Sequence, residues 1–337
     1  VNNIEVIIPT LLKNMYIFNV LSSLKNIKGK KGNINVTVIN NTNIQITNEA
    51  KFINLNIKEI LLGDNQGFSK AVNIGINVTK EKLIFLINDD AMIYNAFEIK
   101  QIEDLFEKHE DIFSLSCKMI SHDFPNLLDD AGDMYTILGW QFKRGNGLPK
   151  ELYDRPCEII SSCGGAAIYN KKILDEIGYF DEDFFAYLED VDLGLRALMR
   201  GYKNLYYPYI SVLHVGSATT GGKYNDITIR LTARNSIYVI YKNLPLPLLI
   251  INFPFILLGY LIKFIFFAKK GKGEIYISGV LEGLKNLPKF KEKRKENMRK
   301  KKISNIKLEW ILIKATFEYF HQYIKRTLYN LRGAKKL

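Results

Sequence analysis

The sequence predicts an α/β fold: a Rossmann-like, mostly parallel sheet with helices on both faces, followed by a helical C-terminal extension. Three observations predict it. Short apolar runs alternate with helical patterns through the first half of the chain, polar residues gather at the ends of those runs, and an apolar segment followed by a basic one closes the sequence.

Residues 4–9, 34–40, 57–63 and 83–89 are short and rich in Ile, Val and Leu, which predicts buried strands. Residues 15–26, 68–78 and 96–109 carry apolar side chains at three- and four-residue spacing and read as helices. Strand, helix and strand in this order need crossover connections, so the sheet is parallel. Ligands of such sheets collect beyond the carboxyl ends of the strands. There the sequence puts Pro9 and Thr10, Asn40 and Asn41, Gly63 and Asp64, and the triplet Asn88, Asp89 and Asp90, which together predict a nucleotide site. Residues 121–156, rich in Asp and Gly, lack a clean period and predict loops and short strands. From Ile159 a further strand leads to an acidic helix, and an apolar strand at residues 210–213 ends at His214. The glycines after it (Gly216, Gly221, Gly222) give the freedom that a mobile lid or a phosphate-contacting loop needs.

A chain of 337 residues suits one catalytic domain with an appendage, divided here into 1–243 (halves of about 1–120 and 121–243) and 244–337. Charge follows that division. Residues 269–337 hold 20 Lys and Arg against 6 Asp and Glu, whereas residues 1–268 hold 27 against 29, so the net charge of +12 belongs to the tail. An anionic partner surface is implied, and a membrane leaflet suits it better than nucleic acid, since no nucleic-acid-binding motif accompanies the charge. Residues 244–268 have the length of a bilayer crossing, but Pro245, Pro247, Asn252, Pro254 and Lys263 favour a segment lying in the interface. The basic stretch 285–302 then faces anionic headgroups, and residues 308–331 add a second amphipathic pattern. A spanning helix, or a helical subdomain with a solvated basic face, is the alternative. Cys117, Cys157 and Cys163 cannot all pair and have no zinc-ligand spacing, which predicts reduced thiols. The opening residues enter an apolar strand without a basic region or cleavage site, which predicts no signal peptide and work on the cytoplasmic side of the membrane.

Two acidic clusters carry the chemistry. Asn88, Asp89 and Asp90 end a strand, and about a hundred residues later Glu189, Asp190 and Asp192 open a helix whose buried stripe is Val191, Leu195, Leu198 and Met199. One cluster can hold a metal and the other can take a proton. Asp192 has a plainer reading as the i,i+4 partner of Arg196, and acids in a first turn are ordinary dipole partners.

The order of motifs is more specific than any one of them. Ser162-Cys-Gly-Gly-Ala-Ala-Ile-Tyr169, Gly178-Tyr-Phe-Asp181, the acidic cluster and His214-Val-Gly-Ser217 follow Asn65-Gln-Gly-Phe68, Asn73, Gly75 and the Asn-Asp-Asp triplet. This set resembles the inverting glycosyltransferases of family 2, the GT-A group, and within it the rhamnosyltransferase-like members that build surface polysaccharides. The resemblance covers roughly residues 4–243 and implies a GT-A fold, a nucleotide-diphospho-sugar donor, and a lipid-linked or glycan acceptor bound near residues 121–243. It implies Mg²⁺ or Mn²⁺ held by Asp90, with His214 on the metal or the diphosphate. Nucleotide-sugar contacts fall to Pro9, Thr10, Asn40, Asn65, Gly67, Asn73, Asn88 and Asp89, although Asn stands at positions 40 and 88 where the family commonly has Asp. Asp190 is the general base and Glu189 grips an acceptor hydroxyl, roles that the sequence leaves exchangeable. Cys163, Gly164, Gly165, Asp192 and Arg234 are the remaining candidates for acceptor or sugar contact, Arg234 being equally readable as a helix-surface residue. A sugar nucleotidyltransferase would carry a Gly-rich, basic phosphate loop after the first strand, which Pro9 to Lys13 lacks. A non-catalytic membrane scaffold would have no need of Asp90 and Asp190.

Overall fold

The computed structural model describes residues 3–13, 15–29, 34–46, 55–216 and 224–334. Ten strands form the central sheet: β1 (Ile4–Thr10), β2 (Ile34–Asn40), β3 (Leu55–Leu61), β4 (Leu83–Ile87), β5 (Ala91–Ile93), β6 (Ile112–Ser121), β7 (Leu128–Asp130), β8 (Cys157–Ile159), β9 (Ala166–Asn170) and β10 (Lys203–His214). Their order is β3-β2-β1-β4-β9-β6-β10-β8, with β5 on β10 and β7 on β6. β1 to β4 run parallel, as the crossover pattern predicts. β9 enters antiparallel between β4 and β6, and β10 returns parallel to β6.

Alternation along β1 explains why both faces are covered. Ile4, Val6 and Ile8 pack with α1 (Tyr16–Ser23) and the later α3 (Ile99–Lys108), whereas Ile7 packs with α2 (Phe68–Val78). α2 comes unusually close because Gly75 has no side chain; a Cβ there would sit 2.7 Å from Ile7 Cγ2. Two predicted helices are shorter than their periodicity. Residues 24–26 form a 3₁₀ turn, and Phe97 and Glu98 pair with Ile27 and Lys28, so α3 begins only at Ile99. β3 starts two residues before its predicted position and is half exposed, as befits an edge strand.

After β9 come α4 (Lys171–Ile177) and the acidic helix α5 (Glu189–Met199), and after β10 come α6 (Asp226–Asn243), α7 (Leu246–Lys269), α8 (Gly273–Asn286), α9 (Lys291–Arg299) and α10 (Asn305–Ala334). The C-terminal helices do not stand apart from the sheet. One buried cluster runs from Leu128 and Tyr135 through Val191 and Tyr238 to Leu248, Phe290, Leu308 and Ala315, crossing the boundary expected at residue 243. α8 lies backbone-close on α6 through Gly279 and Gly283. α10 is fastened to the hairpin Asp133–Tyr135 and Gln141–Lys143, where Thr316 Oγ1 accepts from Ile137 N (3.0 Å) and Glu318 from Arg144 Nε (2.8 Å).

Candidate active site

Strand pairing assembles the first acidic cluster. Ala91 of β5 lies opposite His214 of β10, and Val215 N donates to the Asp90 carbonyl (3.1 Å), so a residue 124 positions away arrives beside Asp90. His214 Nε2 is 3.3 Å from Asp90 Oδ1, while its Nδ1 is 2.7 Å from Asp129 Oδ2. Asp129 also receives Lys143 Nζ at 2.7 Å. Burial pulls the imidazole down, but hydrogen bonds to Asp129 and Asp90 outweigh it and hold His214 at about 9. Burial works against the Asp129 carboxylate, yet Lys143 and His214 bring it well below the usual range. Thr10, at the end of β1, donates to Asp89 Oδ2 (2.6 Å); burial dominates there and pushes Asp89 up to about 6.

The second cluster depends on a strained turn. Phe185, Tyr187 and Leu188 all have positive φ (64°, 72° and 66°), a conformation that costs non-glycine residues energy and is found where surrounding structure imposes it. The imposing group is Asn235 on α6, fully buried, whose Nδ2 lies 3.0, 2.8 and 2.7 Å from the carbonyls of Phe184, Ala186 and Tyr187. From this turn α5 starts with Glu189 and Asp190. Asp190 accepts from Gly164 N (3.0 Å) and from Val191 N (2.8 Å). Burial raises its pKa, opposed by those two amides and by Lys143, which makes it a better base than a solvated carboxylate. Glu189 is buried, its Oε2 has no partner among the described residues, and burial together with Asp190 raises its pKa well above the usual value.

One loop joins the two clusters. Gly164 N holds Asp190, and the next residue, Gly165, accepts from Asn88 N at 2.9 Å. A Cβ at Gly164 would sit 3.3 Å from the Phe68 ring, a tight contact, and 3.6 Å from Asp190 Oδ2, an ordinary one. Beside this loop Asp130, Asp133 and Cys163 bring ligand-type atoms within 4.8 Å of one another. Asp130 Oδ2 has no partner among the described residues, and burial raises Asp130 to about 7.

Several of the expected contact residues have protein partners in the structure. Asn40 is fully buried, donating to Ile44 O and Glu59 Oε1 (both 2.7 Å) and accepting from Thr42, so its amide shapes the loop after β2. Asn73 donates to Phe180 O (2.8 Å) and accepts from Phe180 N (3.1 Å), tying α2 to the segment before the acidic turn. Asp192 is fully buried between Arg196, Lys242 and Asn243, the ion-pair reading of its sequence position. Arg234 reaches Glu282 and the Phe184 carbonyl, supporting the strained turn from the same helix as Asn235. Pro9 is buried within β1, and Asn65 turns its Oδ1 onto Gly67 N (3.0 Å); Gly67 itself, at φ +86°, packs against Phe185. Gly221 and Gly222 of the expected lid lie outside the described residues. Asp129, Lys143 and Asn235 were not singled out as parts of the acidic centre by sequence; for Asp129 the signal was the Asp-rich run 129–133.

Residues 2–237 match the glycosyltransferase-like family 2. The chain belongs to this family. An N-acetylglucosaminyl-diphospho-decaprenol L-rhamnosyltransferase of Mycobacterium tuberculosis is 37% identical over 103 residues, 29% of this chain and 32% of the relative. A dTDP-rhamnosyl transferase of Shigella flexneri is 27% identical over 198 residues, 55% of this chain and 61% of the relative. The chain thus spans between a third and three-fifths of these relatives. Among solved structures, that of GalNAc-T7 with UDP, GalNAc and Mn²⁺ superimposes with a TM-score of 0.55 at 13% identity, covering 71% of this chain and 47% of that one. The fold is therefore GT-A.

Proposed function

We propose that the protein is an inverting glycosyltransferase that passes a sugar from a nucleotide-diphospho-sugar to a hydroxyl of a lipid-linked or glycan acceptor. The observation that carries the reading is the Gly164–Gly165 bridge, which fixes a buried carboxylate of raised basicity beside the Asn88–Asp90 triplet at the sheet's ligand-binding edge. Asp190 takes the acceptor hydroxyl proton as the oxygen attacks the anomeric carbon. The bond from that carbon to the diphosphate oxygen breaks on the opposite side, so the configuration inverts and the nucleoside diphosphate leaves with the bonding pair. Glu189, whose pKa burial and Asp190 raise well above the usual value, can donate a hydrogen bond to the acceptor when it carries its proton.

The donor set suits a divalent cation. Asp129 accepts from His214 Nδ1, which leaves Nε2 beside Asp90 to ligate once it has lost its proton, as a carboxylate commonly orients a metal-bound histidine. Mg²⁺ or Mn²⁺ held there would stabilise the charge developing on the leaving diphosphate. Rhamnose is the sugar we propose, on the strength of the two relatives' names. The acceptor is a polyprenyl-diphosphate-linked glycan at the cytoplasmic face of the membrane, a partner in keeping with the basic tail. The test is incubation with dTDP-rhamnose, UDP- and GDP-sugars, with and without Mn²⁺, following nucleoside diphosphate release. Release from one donor supports the reading, and no binding or turnover of any overturns it.

A further inference from the structure

Helix α7 is 24 residues long with a mean hydropathy of 2.2 over its most apolar window, enough by length and composition to cross a bilayer. Its contacts oppose crossing. Leu248, Asn252, Ile256 and Gly259 recur at helical spacing and are buried against the rest of the protein. Polar bonds pin the same side: Asn252 Nδ2 donates to Glu309 (2.8 Å), Gly259 O accepts from Trp140 Nε1 (3.2 Å), and Tyr260 OH meets Ser236 Oγ (2.7 Å). Further along, Phe267 stacks on Tyr276 at 5.2 Å. From Leu248 to Phe267 these seats extend along roughly 28 Å of helix, nearly a hydrocarbon thickness. A spanning helix would have to surrender them all.

The opposite side is bare. Ile250, Ile251, Phe253, Leu257, Leu258 and Leu261 are each about half or more exposed, and the neighbouring α10 leaves Trp310 and Phe317 outward. Cations accompany this apolar strip: Lys269 and Lys270 close α7, and Lys307 and Lys314 flank Trp310. The tail has few carboxylates to answer them, 6 against 20 basic residues, and Glu282, Glu296, Glu309 and Glu318 already have partners within the protein. An apolar strip edged with lysines that make no ion pair among the described residues fits an anionic lipid surface better than a protein groove.

We infer that the outer side of α7, extended by α10, is a membrane seat that lies in the plane of an anionic leaflet without crossing it. The inference goes beyond the reading of the acidic site and is independent of it, since vesicle binding needs no turnover. The full chain, tagged at each end, is mixed with sealed vesicles of phosphatidylcholine alone or with phosphatidylglycerol, and is also expressed in cells from which sealed inside-out vesicles are prepared. The expected result is sedimentation with the anionic vesicles and protease removal of both tags from the outside of the inside-out vesicles. Leu257→Asp with Leu258→Asp, both on the exposed side, should weaken binding at least 10-fold while the melting temperature holds. One tag protected and one cleaved would mean a crossing and overturn the inference. Failure to bind anionic vesicles would overturn it too, and dimerisation in solution would then identify a second copy as the occupant.

Discussion

Replacing Asn235 by Ala removes the amide that ties down the turn before the acidic helix, where Phe185, Tyr187 and Leu188 have positive φ. Its two N–H groups serve the carbonyls of Phe184, Ala186 and Tyr187 at 2.7 to 3.0 Å in a fully buried position. A buried hydrogen bond contributes about 1 kcal/mol net, and an orphaned buried carbonyl costs about 1–3 kcal/mol, so the variant should lose roughly 2–4 kcal/mol of stability. The larger effect is on turnover. Without the clamp the turn can relax the strain at Phe185, Tyr187 and Leu188, and Asp190 moves with it. A displacement near 1 Å at a reacting group costs on the order of 10²-fold in rate. Urea unfolding measures the first effect, and steady-state kinetics beside nucleotide binding measures the second. The turnover number should fall by about 10²-fold while donor affinity changes little, because the triplet at residues 88–90 lies in the turn between β4 and β5, away from α6. Wild-type turnover together with a stability change under 0.5 kcal/mol would refute the clamp.

Three further outcomes follow from the same geometry. Asp90→Ala should weaken Mn²⁺-dependent donor binding as well as turnover, and EDTA should reproduce it; full activity in EDTA would remove the metal from the mechanism. Asp129→Asn, which takes away the partner that orients His214, should lower Mn²⁺ affinity about 10- to 100-fold in a calorimetric titration even without substrate. Burial opposes the Asp181 carboxylate, but Lys242 and Lys293 bring it down to about 2, so it contributes stability above about pH 4 that is lost as the pH falls through 2. Lys293→Ala should therefore destabilise by at most about 1 kcal/mol at pH 7, this half-exposed lysine being partly screened, and by almost nothing near pH 2.

Much of the architecture was legible because its signals are local. The apolar runs of β1, β2 and β4 follow from burial of strands on both faces, and the ordered motifs at 65–68, 88–90, 162–169 and 189–192 pointed to a GT-A sheet. Asp90 and Asp190 were singled out by matching the family's motifs, since acids at a strand end or in a first helical turn are ordinary by themselves. What stayed hidden depends on pairing across long separations. Nothing near Asp129 in sequence says that it will orient His214, since the β5–β10 and β6–β7 registers decide that. Asn40 and Asn73 carried the right residue types at the right strand and helix, yet neighbouring backbone groups at Ile44, Thr42 and Phe180 take up their amides. Lys293 belongs to the most basic run of the chain, and tertiary packing turns it inward onto Asp181 and Asp183.

The most direct measurement of the central claim is single-turnover transfer by the Asp190→Asn protein, with donor binding measured on the same sample. The amide keeps the shape of the carboxylate and its place beside Gly164 but cannot take the acceptor proton. Transfer should slow by roughly 10²- to 10⁴-fold with donor affinity unchanged. Wild-type transfer would contradict the account, and a matching loss in Glu189→Gln alone would move the base to the neighbouring residue.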